Sequence, residues 1–181
     1  MKAVDNIKES IGRMKLKRAS KRLNRKTKAF SIESASSIGI VYDATNRGVD
    51  EQVKKFVQYL KEERKEVISL GFINSKDSSD IASAHLNYKY FDLRDLSSAK
   101  VPNTPELIQF IDQPFSILMD LSMGECFPIE YVSTLSNAKF KVGAQIGYRN
   151  NVCDLIIDVS SNKALDFLII QMRHYLKMIK N

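Results

Sequence analysis

The first helix is predicted by the spacing of four apolar residues near the start of the chain. Val4, Ile7, Ile11 and Met14 recur at three- and four-residue steps, which places them on one face of a helix. We expect this apolar stripe to pack against the domain or a second copy, because an isolated helix of this length is marginally stable. Residues 15–28 either continue the helix or become ordered only against a polyanion.

Beyond residue 37, apolar runs typical of buried strands alternate with patterns typical of amphipathic helices. The predicted strands are residues 38–42, 67–73, 88–93, 115–122, 140–147 and 153–160. The predicted helices cover about residues 50–65, 105–113, 127–136 and 163–179, and the polar stretch before residue 88 has room for a short one. This alternation predicts a three-layer, Rossmann-like α/β fold with a mostly parallel sheet of about six strands, in the order 3-2-1-4-5-6.

The connection between the fifth and sixth predicted strands is short. Roughly five to nine residues join them, whereas a parallel crossover normally takes a dozen or more. Two alternatives follow from this length. Either the sixth strand runs antiparallel, or one of the two segments lies outside the sheet.

Composition divides the chain into three parts. Residues 1–30 form a basic helical extension, residues 31–37 (SIESASS) a Ser-rich linker, and residues 38–181 the α/β domain. The extension holds eleven cations and two acids, a net charge of +9, whereas the whole chain carries +7. This asymmetry favours an anionic partner, either nucleic acid or a membrane surface.

Cations dominate the second half of the extension, where acids are absent from the sequence. The candidate nucleic-acid contacts are Lys15, Lys17, Arg18, Lys21, Arg22, Arg25, Lys26 and Lys28. Such a cluster can neutralise several phosphates at once. Because no aromatic residue occurs in the extension before Phe30, we expect contact with the backbone and shape of RNA rather than base stacking.

Several classes of protein are disfavoured by what the sequence lacks. No apolar run approaches the roughly 20 residues of a membrane span, and the N-terminus lacks the apolar region of a secretory signal. We therefore expect a cytoplasmic protein, in which Cys126 and Cys153 are free thiols. With only His85 and His174 besides, no zinc-site spacing occurs, and we expect neither a metal nor a cofactor.

A second candidate site lies between the first and fourth strands, where the predicted strand order reverses. Ligands of open parallel sheets bind there, beyond the carboxyl ends of the strands. The residues that this rule brings together are Asp43, Thr45, Asn46, Arg47, Ser122, Glu125 and Cys126. They are candidates for contact with a small polar ligand, or they belong to ordinary polar surface loops. Neither loop has a glycine-rich phosphate-binding pattern, which disfavours dinucleotide binding and ATP hydrolysis.

Two further features have competing interpretations. Cys126 precedes a predicted helix, where the helix dipole lowers a thiol pKa and favours the reactive thiolate. Alternatively, it is a small buried hydrophobic residue, since no histidine lies near it in the sequence. Lys139 and Lys141 flank Phe140 at alternating positions, and we interpret them as a solvated strand end rather than an anion contact.

The segment from Phe115 to Ile157 contains ILMDLS, CFPIEYVSTLSNAKFKVG and DLIID. These motifs resemble an uncharacterised domain-of-unknown-function family of Bacteroidetes, whose members share a basic N-terminal stretch and an AKFKVG-like motif. That resemblance implies no activity. More remotely, this part of the chain is similar to the N-terminal half of heptosyltransferase-like GT-B glycosyltransferases, because DL, a predicted helix and SNAKFKVG follow one another in the same order. In those enzymes the C-terminal half mainly holds the sugar nucleotide, and this sequence has no such half.

Three functions are consistent with these features. The leading hypothesis is a noncatalytic binding protein whose basic helix contacts RNA or a ribonucleoprotein, such as the ribosome. The second is a protein that binds a nucleotide- or sugar-like ligand between the two loops, with or without catalysis. The third is a peripheral membrane-associated protein anchored by the apolar stripe, which contains neither Trp nor Phe.

Overall fold

The structure, a computed structural model, describes residues 2–76 and 87–180, with side chains from Asn6 onward. The helices are α1 (Lys2–Ser20), α2 (Arg47–Glu62), α3 (Pro105–Asp112), α4 (Phe127–Leu135), α5 (Arg149–Val152) and α6 (Leu165–Met178). The strands are β1 (Ser37–Asp43), β2 (Glu66–Ile73), β3 (Tyr88–Asp92), β4 (Ile117–Asp120), β5 (Phe140–Ala144) and β6 (Leu155–Ile157). Most of the polar stretch before β3, where a short helix was considered, lies outside the described residues.

The strands form one open sheet in the order β3-β2-β1-β4-β5-β6, and every neighbouring pair is parallel. The predicted α/β fold and strand order are therefore confirmed. Both alternatives for the sixth strand are wrong, because β6 belongs to the sheet and runs parallel to β5. The four-residue helix α5 makes the crossover, which suffices because β5 and β6 are adjacent and pair over only three residues.

Helices cover both faces of the sheet, as expected for strands that are apolar on both sides. On one face, Phe56 of α2 and Leu168 of α6 pack into the core. On the other face, Phe110 of α3 and Ile129 of α4 do the same. No helix in the described part of the chain is long and apolar enough to cross a membrane.

Helix α1 adds a further layer, because it packs on α4. Gly12 lies at the closest approach: a Cβ there would overlap the carbonyl oxygen of Ala99 and lie 2.7 Å from the Phe127 ring. Leu16, one turn farther along, is buried in the same small cluster. The docking face of α1 is therefore centred on Gly12 and Leu16.

The prediction that the apolar stripe packs on the domain is wrong for the side chains that the structure describes, whereas packing on a second copy stays a prediction. Ile7, Ile11 and Met14 are 62%, 40% and 54% exposed. The side chain of Val4 lies outside the described set. The helix docks through its opposite face because only Gly12 lets the α1 backbone approach the loop at Ala99 so closely.

The segment between α1 and β1 also packs on the domain. Ile32 and Ala35, both within the predicted linker, are buried in the main core. The Ser31 and Ser34 hydroxyls are 3.0 Å apart and hydrogen-bonded, which satisfies polar groups in this turn. The linker residues therefore join the extension closely to the domain.

The Gly12→Ala substitution tests this docking. Alanine is a better helix former than glycine by about 1 kcal/mol, so the variant would be more stable if α1 were an undocked arm. Because the added methyl collides with Ala99, we expect a lower melting temperature and faster tryptic cleavage within residues 15–28. Ser10→Ala, an exposed position on the same helix, is the control. A Gly12→Ala protein at least as stable as the wild type would contradict the docking.

Candidate functional sites at the basic helix and the sheet edge

The exposed cations of the extension lie on α1 and on the chain that follows it. Seven of the eight candidate contacts have exposed side chains: Lys15, Lys17, Arg18, Lys21, Arg22, Lys26 and Lys28. None of these seven forms an ion pair with a carboxylate of the described residues. Their charges are therefore available to an external anion.

Arg25, the eighth candidate, is engaged within the protein. Its guanidinium makes two hydrogen bonds of 2.7 Å to the Asp154 carboxylate and also donates to the backbone carbonyls of Ala138 and Lys139. A paired arginine with this geometry fixes position more than it attracts a ligand. Arg25 therefore fastens the extension to the start of β5.

The interpretation of Lys139 and Lys141 as a solvated strand end is wrong for Lys141. Lys139 precedes β5 and is exposed, but Lys141 is buried and donates a 2.9 Å hydrogen bond from Nζ to the Thr134 carbonyl. Burial, helped by the nearby charge of Arg25, lowers the pKa of Lys141 to about 7. Lys141 is therefore a structural residue under the Arg25 tether rather than an anion contact.

The outward face of α1 combines the exposed part of the apolar stripe with cations. Ile7, Ile11 and Met14 follow one another along this face, and Arg18 comes next at the same helical spacing. Glu9 lies elsewhere on the helix, where it binds Arg13 at 3.0 Å. Between Ser10 and Phe30 the sequence has no acidic residue. The outward face is thus apolar along its centre and cationic towards its end.

The loops predicted to form a ligand site do meet at the carboxyl edge of the sheet, where β1 and β4 are neighbours. A crevice of about 200 Å³ opens there. Its polar lining consists of Glu9, Asp43, Asn74, Lys100, Glu125 and Cys126, and its apolar lining of Phe72, Leu93, Leu96, Phe127 and Pro128. Asp43, Glu125 and Cys126 are therefore the predicted residues that the structure brings together.

The other four predicted residues do not line the crevice. The Thr45 hydroxyl accepts a hydrogen bond from the Asn74 backbone at 2.9 Å, and Asn46 caps α2 by accepting from the Gly48 backbone at 2.9 Å. Arg47 is exposed in the first turn of α2. Ser122 is buried behind the loop, with its backbone N–H bonded to Asp120. Thr45, Asn46 and Ser122 therefore make hydrogen bonds that shape the loops, and Arg47 begins α2.

Three polar residues of the crevice were missed from the sequence. Asn74 directly follows β2, so the rule for carboxyl strand ends could have found it. Glu9 and Lys100 come from α1 and from the loop before α3, and they approach each other at 3.5 Å. No local sequence signal links those two, because the docking of α1 alone brings them together.

A buried ion pair fixes the loop after β4. Arg149 is fully buried, and its Nε lies 3.1 Å from Asp120 at the end of β4. The same guanidinium donates to the backbone carbonyls of Gly124 at 2.9 Å and Ile146 at 3.0 Å. Asp120 also accepts hydrogen bonds from the hydroxyls of Tyr148 and Ser133. Each polar group is satisfied, as a buried charge pair requires.

The Cys126 thiol is not activated. Burial raises its pKa to about 12, against a smaller opposing effect of the Ile129 backbone N–H. The thiol therefore stays protonated at neutral pH, and the expected influence of the helix dipole does not prevail. Among the described residues, no group of three or more His, Cys, Asp or Glu is placed to hold a metal ion.

The chain belongs to a family of unknown function, DUF6913, whose profile matches residues 8–179. This membership agrees with the predicted resemblance to an uncharacterised domain. No curated protein and no solved structure gives a significant match to the chain.

Lys141→Met is expected to change stability in a pH-dependent way. Below about pH 7 the folded and unfolded states are both charged at this lysine, so the full penalty of burying the charge applies. Between about pH 7 and 10 the folded state loses the proton first, because its pKa lies below the usual 10.5, and the penalty falls. The gain in unfolding free energy for Lys141→Met should thus be larger at pH 6 to 7 than near pH 9 by about 2 kcal/mol.

Urea unfolding at several pH values measures this difference. Lys139→Met, at the exposed neighbouring lysine, is the control and should show no such trend. A stability difference between Lys141→Met and the wild type that is constant from pH 6 to pH 9 would show that the lysine is not held in a depressed-pKa environment.

Arg149→Met should destabilise the protein by about 3–5 kcal/mol, because it leaves the Asp120 carboxylate buried without its cation. Denaturant unfolding measures the loss. The double variant Asp120→Asn, Arg149→Met should recover part of it, since no uncompensated charge remains. Lys163→Met, at an exposed position, provides the control. A loss below about 1 kcal/mol for Arg149→Met would refute this role of the ion pair.

Proposed function

We propose that this member of the DUF6913 family binds anionic membrane surfaces peripherally through the outward face of α1. The observation that carries the proposal is the exposed line of Ile7, Ile11 and Met14 on a helix whose opposite face is docked. A helix with an apolar centre and flanking Lys and Arg suits the boundary between headgroups and acyl chains. Docking through Gly12 leaves that face exposed.

Both the apolar stripe and the cations contribute to attachment. Full burial of an aliphatic side chain contributes about 1.5–3 kcal/mol, so three roughly half-exposed residues contribute on the order of 3 kcal/mol together. Each Lys or Arg close to an anionic surface adds about 1 kcal/mol. Neither part alone gives firm attachment, but the stripe and the exposed cations of residues 15–28 together do.

The same cations support a second candidate function, contact with RNA or a ribonucleoprotein such as the ribosome. Seven exposed, unpaired cations in a segment without acids can displace counterions from several phosphates. A phosphate backbone, however, offers Ile7, Ile11 and Met14 no apolar surface to bury. We rank the membrane first for this reason.

The crevice supports a third candidate function, the binding of a small polar ligand. In the glycosyltransferase version of this function, the ligand would be a sugar nucleotide. Glu9, Asp43 and Glu125 place three carboxylates there against the single cation of Lys100. This acidic lining opposes the diphosphate of a sugar nucleotide. A neutral or cationic ligand fits the charge better.

Vesicle flotation tests the membrane proposal. We expect the wild type to float with vesicles that contain phosphatidylglycerol and to stay unbound with phosphatidylcholine alone. The triple variant Ile7→Ser, Ile11→Ser, Met14→Ser should bind about 100-fold more weakly, the equivalent of about 3 kcal/mol. The triple variant Lys15→Gln, Lys17→Gln, Arg18→Gln should weaken binding to the anionic vesicles and increase its salt tolerance.

A matched control removes three exposed apolar side chains elsewhere, Ile108→Ser, Ile156→Ser and Met178→Ser, and should leave flotation unchanged. The RNA function makes the opposite prediction for the stripe, because only the lysine and arginine variant would then lose affinity. If the wild type fails to float but binds structured RNA with a steep salt dependence, the membrane proposal is excluded and the RNA function replaces it.

A further inference from the structure

An apolar groove lies between α2 and α6, on the opposite face of the sheet from α1. It has a volume of about 290 Å³. Its apolar lining comes from Phe56 and Tyr59 on α2 and from Ile169 and Ile170 on α6. Ile170 is 57% exposed, so apolar surface continues from the groove to the outside. A groove of this kind with a few polar groups at its margin is the usual form of a small-molecule site.

Two polar atoms of the groove residues are buried without a partner. The Arg173 guanidinium lies over the Tyr59 ring, 3.9 Å from its centroid. Arg173 Nε and the Tyr59 hydroxyl oxygen make no hydrogen bond within the described residues. Buried donors are normally satisfied, so a shift of the Arg173 side chain towards an acceptor in the groove would relieve this unsatisfied arrangement.

The charges of the groove favour an anion. Lys55 and Arg173 line it together with a single acid, Asp166, which accepts a hydrogen bond from the Phe167 backbone. None of these three forms an ion pair within the described part of the protein. The net charge of the lining is positive, whereas its surface is mainly apolar. An occupant that suits both properties carries an apolar body and one negative head.

We propose that the groove between α2 and α6 binds a small amphiphilic carboxylate, such as a medium-chain aliphatic acid. The chain packs against Phe56, Ile169 and Ile170. The carboxylate accepts hydrogen bonds from Arg173, with Lys55 as a second cation. Arginine suits this role because its planar donors match the two oxygens of a carboxylate.

Decanoate is the probe, at concentrations well below those at which it forms micelles. Thermal unfolding and isothermal titration calorimetry are performed on the Ile7→Ser, Ile11→Ser, Met14→Ser background, so that the apolar stripe of α1 contributes nothing. We expect decanoate to raise the melting temperature by several degrees at saturation, as ligands of the native state do. Decan-1-ol and decylamine, which match its chain length, should give a much smaller shift.

Arg173→Met keeps the length of the side chain but removes the charge, and it should abolish the decanoate shift. Gln52→Trp, at an exposed lining position, should block the groove without disturbing the core and provides a second variant if Arg173→Met is unstable. Lys177→Met, on α6 but outside the groove, is the control and should respond like the background. The proposal is overturned if decanoate gives no shift, if decylamine gives an equal one, or if Gln52→Trp leaves the shift unchanged.

Discussion

The buried pair of Asp120 and Arg149 is the constraint on which the carboxyl edge of the sheet depends. Asp120 ends β4, and it holds Ser133 of α4 and Tyr148 through their hydroxyls. Arg149 spans the gap to the neighbouring strand and binds carbonyls on both sides of it. Arg149 thus joins the loop after β4 to the loop after β5. The Glu125 side chain of the first loop packs against Gly147 of the second. A side chain at Gly147 would collide with that carboxylate, and its positive φ of 56° also favours glycine.

The N-terminal extension depends on a different set of contacts, at its two ends. Gly12 and Leu16 seat α1 on the domain, and Arg25 ties the chain that follows to Asp154 beside β5. Buried Lys141 lies under this tether and donates to the Thr134 carbonyl. The extension is therefore part of the folded body, although its composition differs so strongly from the rest. Its charge and its apolar stripe are therefore displayed in one orientation relative to the sheet.

The sequence was sufficient for the fold because strand and helix periods alternate clearly and the order of such sheets is restricted. It misjudged β6 because a crossover between adjacent short strands needs only the four residues of α5. It misjudged the apolar stripe because hydrophobic spacing identifies a face but not its partner, and Gly12, without a side chain, left no apolar signal for the face that docks. Lys141 was misread for a similar reason: its hydrogen-bond acceptor is an uncharged backbone carbonyl, at Thr134, and the charge of Arg25 that lowers its pKa lies far from it in the sequence. Of the crevice, the loops at the strand ends were found, whereas Glu9 and Lys100 were not, since only tertiary docking brings them there.

Helix α1 contributes one face to the crevice and exposes another. Glu9 belongs to the lining of the crevice, and the exposed stripe belongs to the outward face of the same rigid helix. If a ligand in the crevice displaced Glu9, and α1 with it, the orientation of the outward face would change as well. By thermodynamic linkage, contact at the outward face then changes the affinity of the crevice by the same factor. Glu9 and the exposed stripe thus lie on two faces of one helix, which links the crevice mechanically to the outward face.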